Sequence, residues 1–286
     1  MADAAPRARG TGGPLRAHEA AFVLLGAGAL GALLWTGGWR SRMGAEIALG
    51  TLAYSGALAW LWRRDDLRAE RFRMAVNYLF ALWFYGATSR VTLALGAPPR
   101  DGVLLGIDEF FFGRTPAVSW ERFARPWLTE TLSACYLSYQ IYLHGVLLWA
   151  FGQSREVIQR LSALLFAGFA VGFLGYLLVP ALGPGPAFPE LFSQGLNGGL
   201  LTHANDAVVA HGSAIHGNFP SLHLLITLLL LNHDWHACRR RFWLLLAPVA
   251  GLFVSTLYLR YHYAVDLLAG AALFPCVLAA CSRWNR

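Results

Sequence analysis

Apolar residues dominate eight stretches of the chain, at about residues 20–36, 45–62, 74–97, 131–151, 161–180, 221–235, 242–259 and 263–281. A helix rises about 1.5 Å per residue and needs roughly 17–25 mostly apolar residues to cross a bilayer, so most of these stretches are long enough to span one. The sixth is short and opens on Pro220-Ser221-Leu222-His223, which puts its first turn near a membrane surface or a wet cavity. The pattern predicts an all-α, polytopic membrane protein with about eight transmembrane helices. Arg7, Arg9 and Arg16 precede the first stretch, but no small-residue cleavage site follows it, so it reads as an uncleaved span.

Composition agrees with this reading. Of 286 residues, 56% are hydrophobic and 14% charged, and mean hydropathy is +0.46. Soluble domains carry about 25% charged residues, so this chain has too few charges to cover a soluble surface of its size. That excludes a disordered chain, a nucleic-acid-binding domain and an ordinary cytosolic enzyme. All 23 basic residues are arginine, which removes any lysine-based Schiff-base or P-loop chemistry. Cys135, Cys238, Cys276 and Cys281 form no CxxC pair and read as packing residues.

The arginines set an orientation. With eight spans, the side holding both termini and residues 63–73, 152–160 and 236–241 carries fifteen of them and the other side seven, with Arg90 inside a span. The positive-inside rule places both termini in the cytoplasm. The segments 98–130, 181–220 and 260–262 then face outward, in a membrane read as a bacterial inner membrane. The stretch 181–220 contains no arginine, and its length marks a functional or disordered connection. Its opening, Pro180 to Pro186, is predicted to be non-helical. Thr115-Pro116 reads as a helix start with threonine as cap.

Two outward-facing points carry candidate chemistry. In Ser255 to Asp266, His262 and Asp266 are four apart and share a face if helical. A carboxylate there takes the proton of one imidazole nitrogen and leaves the other as nucleophile or base. The plainer reading is that Asp266 caps or pairs within the bundle. In Asn218 to His223, Ser221 suits an N-cap, and the amides of such a helix start bind anions. Ser221, Asn218 and these amides are therefore candidate phosphate ligands, with His223 as proton donor. Arg260 is the one basic residue on its loop, suited to bidentate phosphoryl binding or to anchoring at lipid headgroups. Together these groups amount to a phosphoryl-transfer constellation.

These residues resemble the type 2 phosphatidic acid phosphatase superfamily, whose motifs include PSGH and SR-x5-H-x3-D. Here they read Pro220-Ser221-Leu222-His223 and Ser255-Thr256-x5-His262-x3-Asp266. The resemblance implies a six-helix catalytic bundle formed by the last six spans. It implies His262 as nucleophile, Asp266 as its orienting partner, His223 as general acid, and no metal or cofactor. Three cationic positions depart from the family pattern: Gly172 and Val179 stand in the first motif and Thr256 in the third. Leu222 also replaces the glycine of PSGH. Arg260 is the obvious substitute cation.

Phe219 to His223, Pro180 to Pro186 and Tyr261 to Gly270 are similar to the inositol phosphorylceramide synthase-like (inositolphosphotransferase) branch and its bacterial relatives. So are the stretches 108–113 and 130–139. That implies a phosphorylated membrane lipid as substrate, with water or a polyol or sugar hydroxyl as acceptor and no nucleic-acid partner. A lipid-binding or transport protein on the same bundle is the competing reading.

The expected organisation is a cytoplasmic tail at 1–19, N-terminal helices at 20–97 whose third begins the core, a catalytic core at 98–281, and a tail at 282–286. Glu46 and Arg90 are expected to pair, although Arg90 could instead reach the active site. His144 is expected to be structural, and Tyr136, Tyr139 and Tyr142 a packing stripe. His203, His211, His216 and Asp206 match no zinc spacing; gating the pocket or contacting a headgroup are equal alternatives for the histidines.

Overall fold

The structure is a computed structural model that describes residues 15–212 and 216–284. Arg7, Arg9, Arg286 and the His211 side chain lie outside the described residues. Twelve helices run in order: α1 (Ala17–Trp35), α2 (Arg42–Leu61), α3 (Leu67–Ala94), α4 (Asp101–Phe112), α5 (Pro116–Ser119), α6 (Pro126–Phe151), α7 (Arg155–Leu178), α8 (Pro184–Ala187), α9 (Leu200–Gly212), α10 (Leu222–Ala237), α11 (Arg239–Tyr258) and α12 (Ala264–Trp284). Among the described residues there is no strand, only an isolated bridge between Ala181 and Gly217.

Each of the eight apolar stretches forms a long helix: α1, α2, α3, α6, α7, α10, α11 and α12. Four of them, α1, α7, α11 and α12, are long and apolar enough to cross a membrane by length and composition alone. The other four fall short for physical reasons. At 16 residues, α10 is about 24 Å long against a hydrocarbon core of about 30 Å. In α2, α3 and α6, polar side chains are satisfied across helices: Tyr54 donates to Asn77 at 2.5 Å, and Tyr78 pairs with His144 at 2.5 Å.

The centre of the bundle is α7 and α10. Helix α7 packs on α1, α3, α10 and α12, and α10 packs on α6, α7, α11 and α12. The expected Glu46–Arg90 pair forms at 2.6 Å and joins α2 to α3. A second network joins α1, α3 and α7 at the opposite end of the bundle: Arg73 donates to both Glu19 oxygens at 2.8 and 2.7 Å, Arg16 pairs with Glu70, and Gln159 donates to Glu70 at 2.8 Å. Glu19, Glu70 and Arg73 are buried, where an unpaired charge would be costly.

The connections at the first end are more ordered than their polarity predicts. Pro180 to Pro186 is not free of helix, because α8 starts at Pro184. Proline is tolerated in a first turn, where its missing N–H has no acceptor to lose. Thr115 does sit at the N-cap of α5, but its hydroxyl caps nothing there; it donates to Asp108 at 2.7 Å.

Candidate active site

The turn that carries His262 is built by the end of α11. The Arg260 amide bonds to the Leu257 carbonyl and the Tyr261 amide to the Thr256 carbonyl, both at 3.0 Å. With Arg260 at φ 66°, this is a Schellman C-cap with arginine at the left-handed position that usually holds glycine. The His262 amide also donates to Thr256 at 3.0 Å. His262 therefore precedes α12 rather than lying on it, so the two residues do not share a helical face as expected; the His262 side chain reaches Asp266 in the first turn of α12 instead. His262 Nδ1 is 3.1 Å from Asp266 Oδ2, and Asp266 also accepts from the Tyr263 amide at 3.0 Å. Both partners are buried, at 2% and 0% exposure. The carboxylate assigns the proton to Nδ1 and leaves the Nε2 lone pair available.

The start of α10 meets this turn. Ser221 is the N-cap, its hydroxyl accepting from the Leu224 amide, and its own amide donates to the Asp266 carbonyl at 3.0 Å. His262 Nε2 lies 3.3 Å from His223 Nδ1 and 3.5 Å from Ser221 Oγ. Asn218 contributes its backbone beside the His262 ring, while its side-chain amide lies against Gly183.

Close packing of α7 sets the position of α10. A Cβ on Gly175 would lie 2.2 Å from Pro220 Cδ, and one on Gly172 would lie 2.2 Å from Leu222 Cδ2. Two departures from the family pattern thus form one contact: Leu222 fills the space beside Gly172. Thr256 is buried, and its hydroxyl bonds back to the Phe253 carbonyl at 2.8 Å.

Three acidic residues that sequence reasoning left without a role hold this end together. Asp108 accepts from the Ala264 and Val265 amides, both at 2.9 Å, and so caps α12 from α4. Asp101 accepts from the Leu182 and Gly183 amides and from the Tyr263 hydroxyl at 2.9–3.0 Å. Glu130 accepts from the Gly199, Leu201 and Thr202 amides at 2.6, 2.7 and 3.1 Å and caps α9. Carboxylates in a largely apolar helix, such as Asp108 beside Glu109 in α4, were the available signal. Asp108→Ala leaves two amides of α12 without acceptors and is expected to cost about 1–2 kcal/mol. Denaturation of the purified protein checks this; an unchanged midpoint would refute the capping role.

A cavity of about 440 Å³ lies between α3, α6, α7 and α9, with His223 in its wall. Tyr136 and Tyr139 flank the His223 ring at 4.8 and 4.7 Å between centroids and line the cavity. They pack in the buried core with Tyr142, as the sequence reading expected, and also form part of the site's wall; helical spacing alone does not reveal what else a face touches. Tyr142, by contrast, bonds Asp234 at 2.9 Å. His144 bonds Tyr78 at the far end of the same cavity.

The structure brings His262, Asp266, His223 and Ser221 together, and the Asn218 backbone with them. The Arg260 guanidinium is engaged elsewhere: it donates to the Gln194 carbonyl at 2.8 Å and to Glu121 at 3.3 Å, and lies over the Phe192 ring. Arg90 is held by Glu46. Among the described residues, no three His, Cys, Asp or Glu side chains form a metal-binding group.

Burial pushes the His262 imidazole from 6.5 down to about 4, because the charged ring is poorly solvated there. The nucleophilic neutral form then persists as pH falls and is lost only through about 4. The acid limb of kcat/KM is expected near pH 4, where an unperturbed histidine would place it near 6.5. A pH–rate profile with a limb at 6–7 would contradict this.

Among the described residues, the fold is an all-helical bundle with long apolar helices, in which a buried histidine, His262, faces a half-buried one, His223. A model of the PAP2 superfamily, the type 2 phosphatidic acid phosphatases, matches residues 104–280, and the chain belongs to that superfamily. No curated protein and no solved structure matches it. Membership supports a phosphatase-type activity on lipid phosphates.

Proposed function

We propose that the protein transfers a phosphoryl or phospho-headgroup unit of a membrane lipid through a phosphohistidine on His262. One observation carries the reading: the His262 ring is held by Asp266 on one nitrogen and faces His223 with the other. In the first step, Nε2 attacks phosphorus and the bond from phosphorus to the lipid oxygen breaks. His223 gives its proton to that oxygen. In the second, an incoming hydroxyl returns a proton to His223, its oxygen attacks phosphorus, and the P–N bond breaks. The 3.3 Å contact between the two histidines opens to admit the phosphoryl group. Ser221 and the first amides of α10 stabilise the developing anion; Asn218, whose side chain lies against Gly183, is left out of this role.

The arginine bias supports an orientation with both termini in the cytoplasm and the site on the outer face. The aromatic cavity beside His223 takes a lipid chain. Ala81, on α3, is buried in its wall. Ala81→Phe is expected to lower kcat/KM for a long-chain lipid relative to a short-chain soluble one by about tenfold or more. Equal loss for both would contradict the assignment.

The test of the proposal is turnover of a panel of phosphorylated lipids by wild type and His262→Ala, with and without polyol or sugar acceptors, resolved by mass spectrometry. Free phosphate made only by wild type means hydrolysis, and an acceptor-dependent adduct means transfer. Blank traces from both proteins with retained lipid binding would replace the enzyme by a lipid-binding or transport protein.

A further inference from the structure

Three phenols line the aromatic cavity near His223: Tyr136 and Tyr139 of α6 and Tyr176 of α7. All three are buried, at 7%, 7% and 2% exposure. Among the described residues, none of their hydroxyls has a hydrogen-bond partner. Their oxygens are not sealed into packing either, so they open into the cavity. The Tyr136 ring lies 4.8 Å from His223 and 4.9 Å from Tyr261, the neighbour of His262, between centroids. The Tyr139 ring is 4.7 Å from His223. Tyr176 is within electrostatic range of Tyr136, Tyr139 and Asp266.

A buried hydroxyl without a partner forfeits the hydrogen bond it made to water, and phenylalanine would fill the same space without that loss. The chain does use phenylalanine where filling is enough. On α7, Phe169 and Phe173 line the cavity on the same helix face as Tyr176. At the far end of the cavity, Tyr78 is paired with His144. The unpaired phenols thus gather at the catalytic end, and what they lack is an acceptor. A phosphoryl group in transfer supplies one: its charge is spread over three equatorial oxygens, which preorganised donors stabilise. The side chains that could have brought a cation do not. Gly172 stands one turn before Tyr176, the Thr256 hydroxyl is bonded to the Phe253 carbonyl, and Arg260 and Arg90 are held by Glu121 and Glu46. Ser221 and the amides of α10 reach the phosphoryl position from one side, and the phenols approach from α6 and α7.

We propose that Tyr136, Tyr139 and Tyr176 form an uncharged anion hole, donating hydrogen bonds to the non-bridging oxygens of the transferred phosphoryl group in place of the missing cations. The proposal rests on the phosphohistidine reading above and adds three substrate-binding residues to it. A phenol donates without carrying charge. The empty site therefore holds no buried cation in need of a counter-ion, and the donors stand in place before the phosphoryl group arrives.

The test uses the full chain in nanodiscs, titrated with orthovanadate as a phosphoryl mimic and assayed on dioleoyl and dihexanoyl phosphatidic acid. Vanadate binding is read without turnover. Tyr136→Phe, Tyr139→Phe and Tyr176→Phe are each expected to lower kcat on both lipids on the order of 10²-fold, with KM nearly unchanged, and to weaken vanadate binding about tenfold or more. Without vanadate each variant should melt at the wild-type temperature or above, because the oxygen removed had no partner. Wild-type rates and vanadate affinity in the three variants would overturn the proposal. So would lower melting temperatures, which would make the hydroxyls part of what holds the fold. A loss confined to the dioleoyl lipid would assign the phenols to the acyl chain and also overturn it. If His262→Ala abolishes vanadate binding while the phenylalanine variants match wild type, the phosphohistidine reading stands and this inference alone falls. If His262→Ala binds vanadate as wild type does, both fall.

Discussion

His262→Ala is expected to abolish turnover, with kcat reduced on the order of 10⁴-fold or more. The alanine removes the atom that would bond phosphorus, and the neighbouring Ser221 hydroxyl is committed as the cap of α10. The fold should persist, because the backbone bonds of this turn run from the His262 and Tyr261 amides to Thr256 and do not use the imidazole. Asp266→Asn tests the partner. An amide in that place still accepts a hydrogen bond but no longer stabilises a positively charged ring, and in comparable histidine–aspartate pairs such a change costs about 10⁴. Single-turnover kinetics with thermal denaturation separates chemistry from folding. His262→Ala retaining more than about 1% of wild-type turnover would remove His262 as the nucleophile.

The second large effect is expected at Gly175. Its Cβ would fall 2.2 Å from Pro220 Cδ and 3.0 Å from the Phe219 carbonyl oxygen. A proline ring cannot rotate away, so Gly175→Ala must displace the start of α10 or α7 itself. Overpacking of this kind costs about 1–3 kcal/mol. A shift of about 1 Å at Ser221 and His223 would lower activity roughly 10²-fold. Gly172→Ala presses on Leu222 instead, a side chain that can move. Its loss should be smaller and largely restored by Leu222→Ala, which a double-mutant cycle would show as coupling. If Gly175→Ala retained full activity and stability, the packing account of how α10 is placed would be wrong. The same contact explains why glycine at 172 accompanies leucine at 222: a long side chain at 172 would occupy the space that Leu222 fills.

Much of the bundle was legible in sequence because helix periodicity and apolar length are local properties. All eight stretches form helices, and Glu46 with Arg90 could be paired because both lay at similar depth in adjacent segments. His262 and Asp266 were legible for the same reason, being four residues apart. Tyr136 and Tyr139 pack in the core as expected, but their contact with His223 was not legible, because it is over eighty residues away. Arg260 looked like a phosphate ligand by proximity in sequence. Its left-handed cap turns it to Glu121, 139 residues distant, and no local pattern encodes that direction.

By itself, then, the sequence determined the helical membrane class, the family motifs and which residues are candidates for chemistry, since these depend on composition and short spacing. Only the tertiary structure decided what those residues face. Asp108 caps α12 from α4, Glu130 caps α9 from α6, and glycines of α7 let Pro220 and Leu222 approach. Each is a contact between segments far apart in the chain. Buried donors and acceptors must be satisfied, and side chains must fit without overlap, and both conditions are met only when the helices are packed.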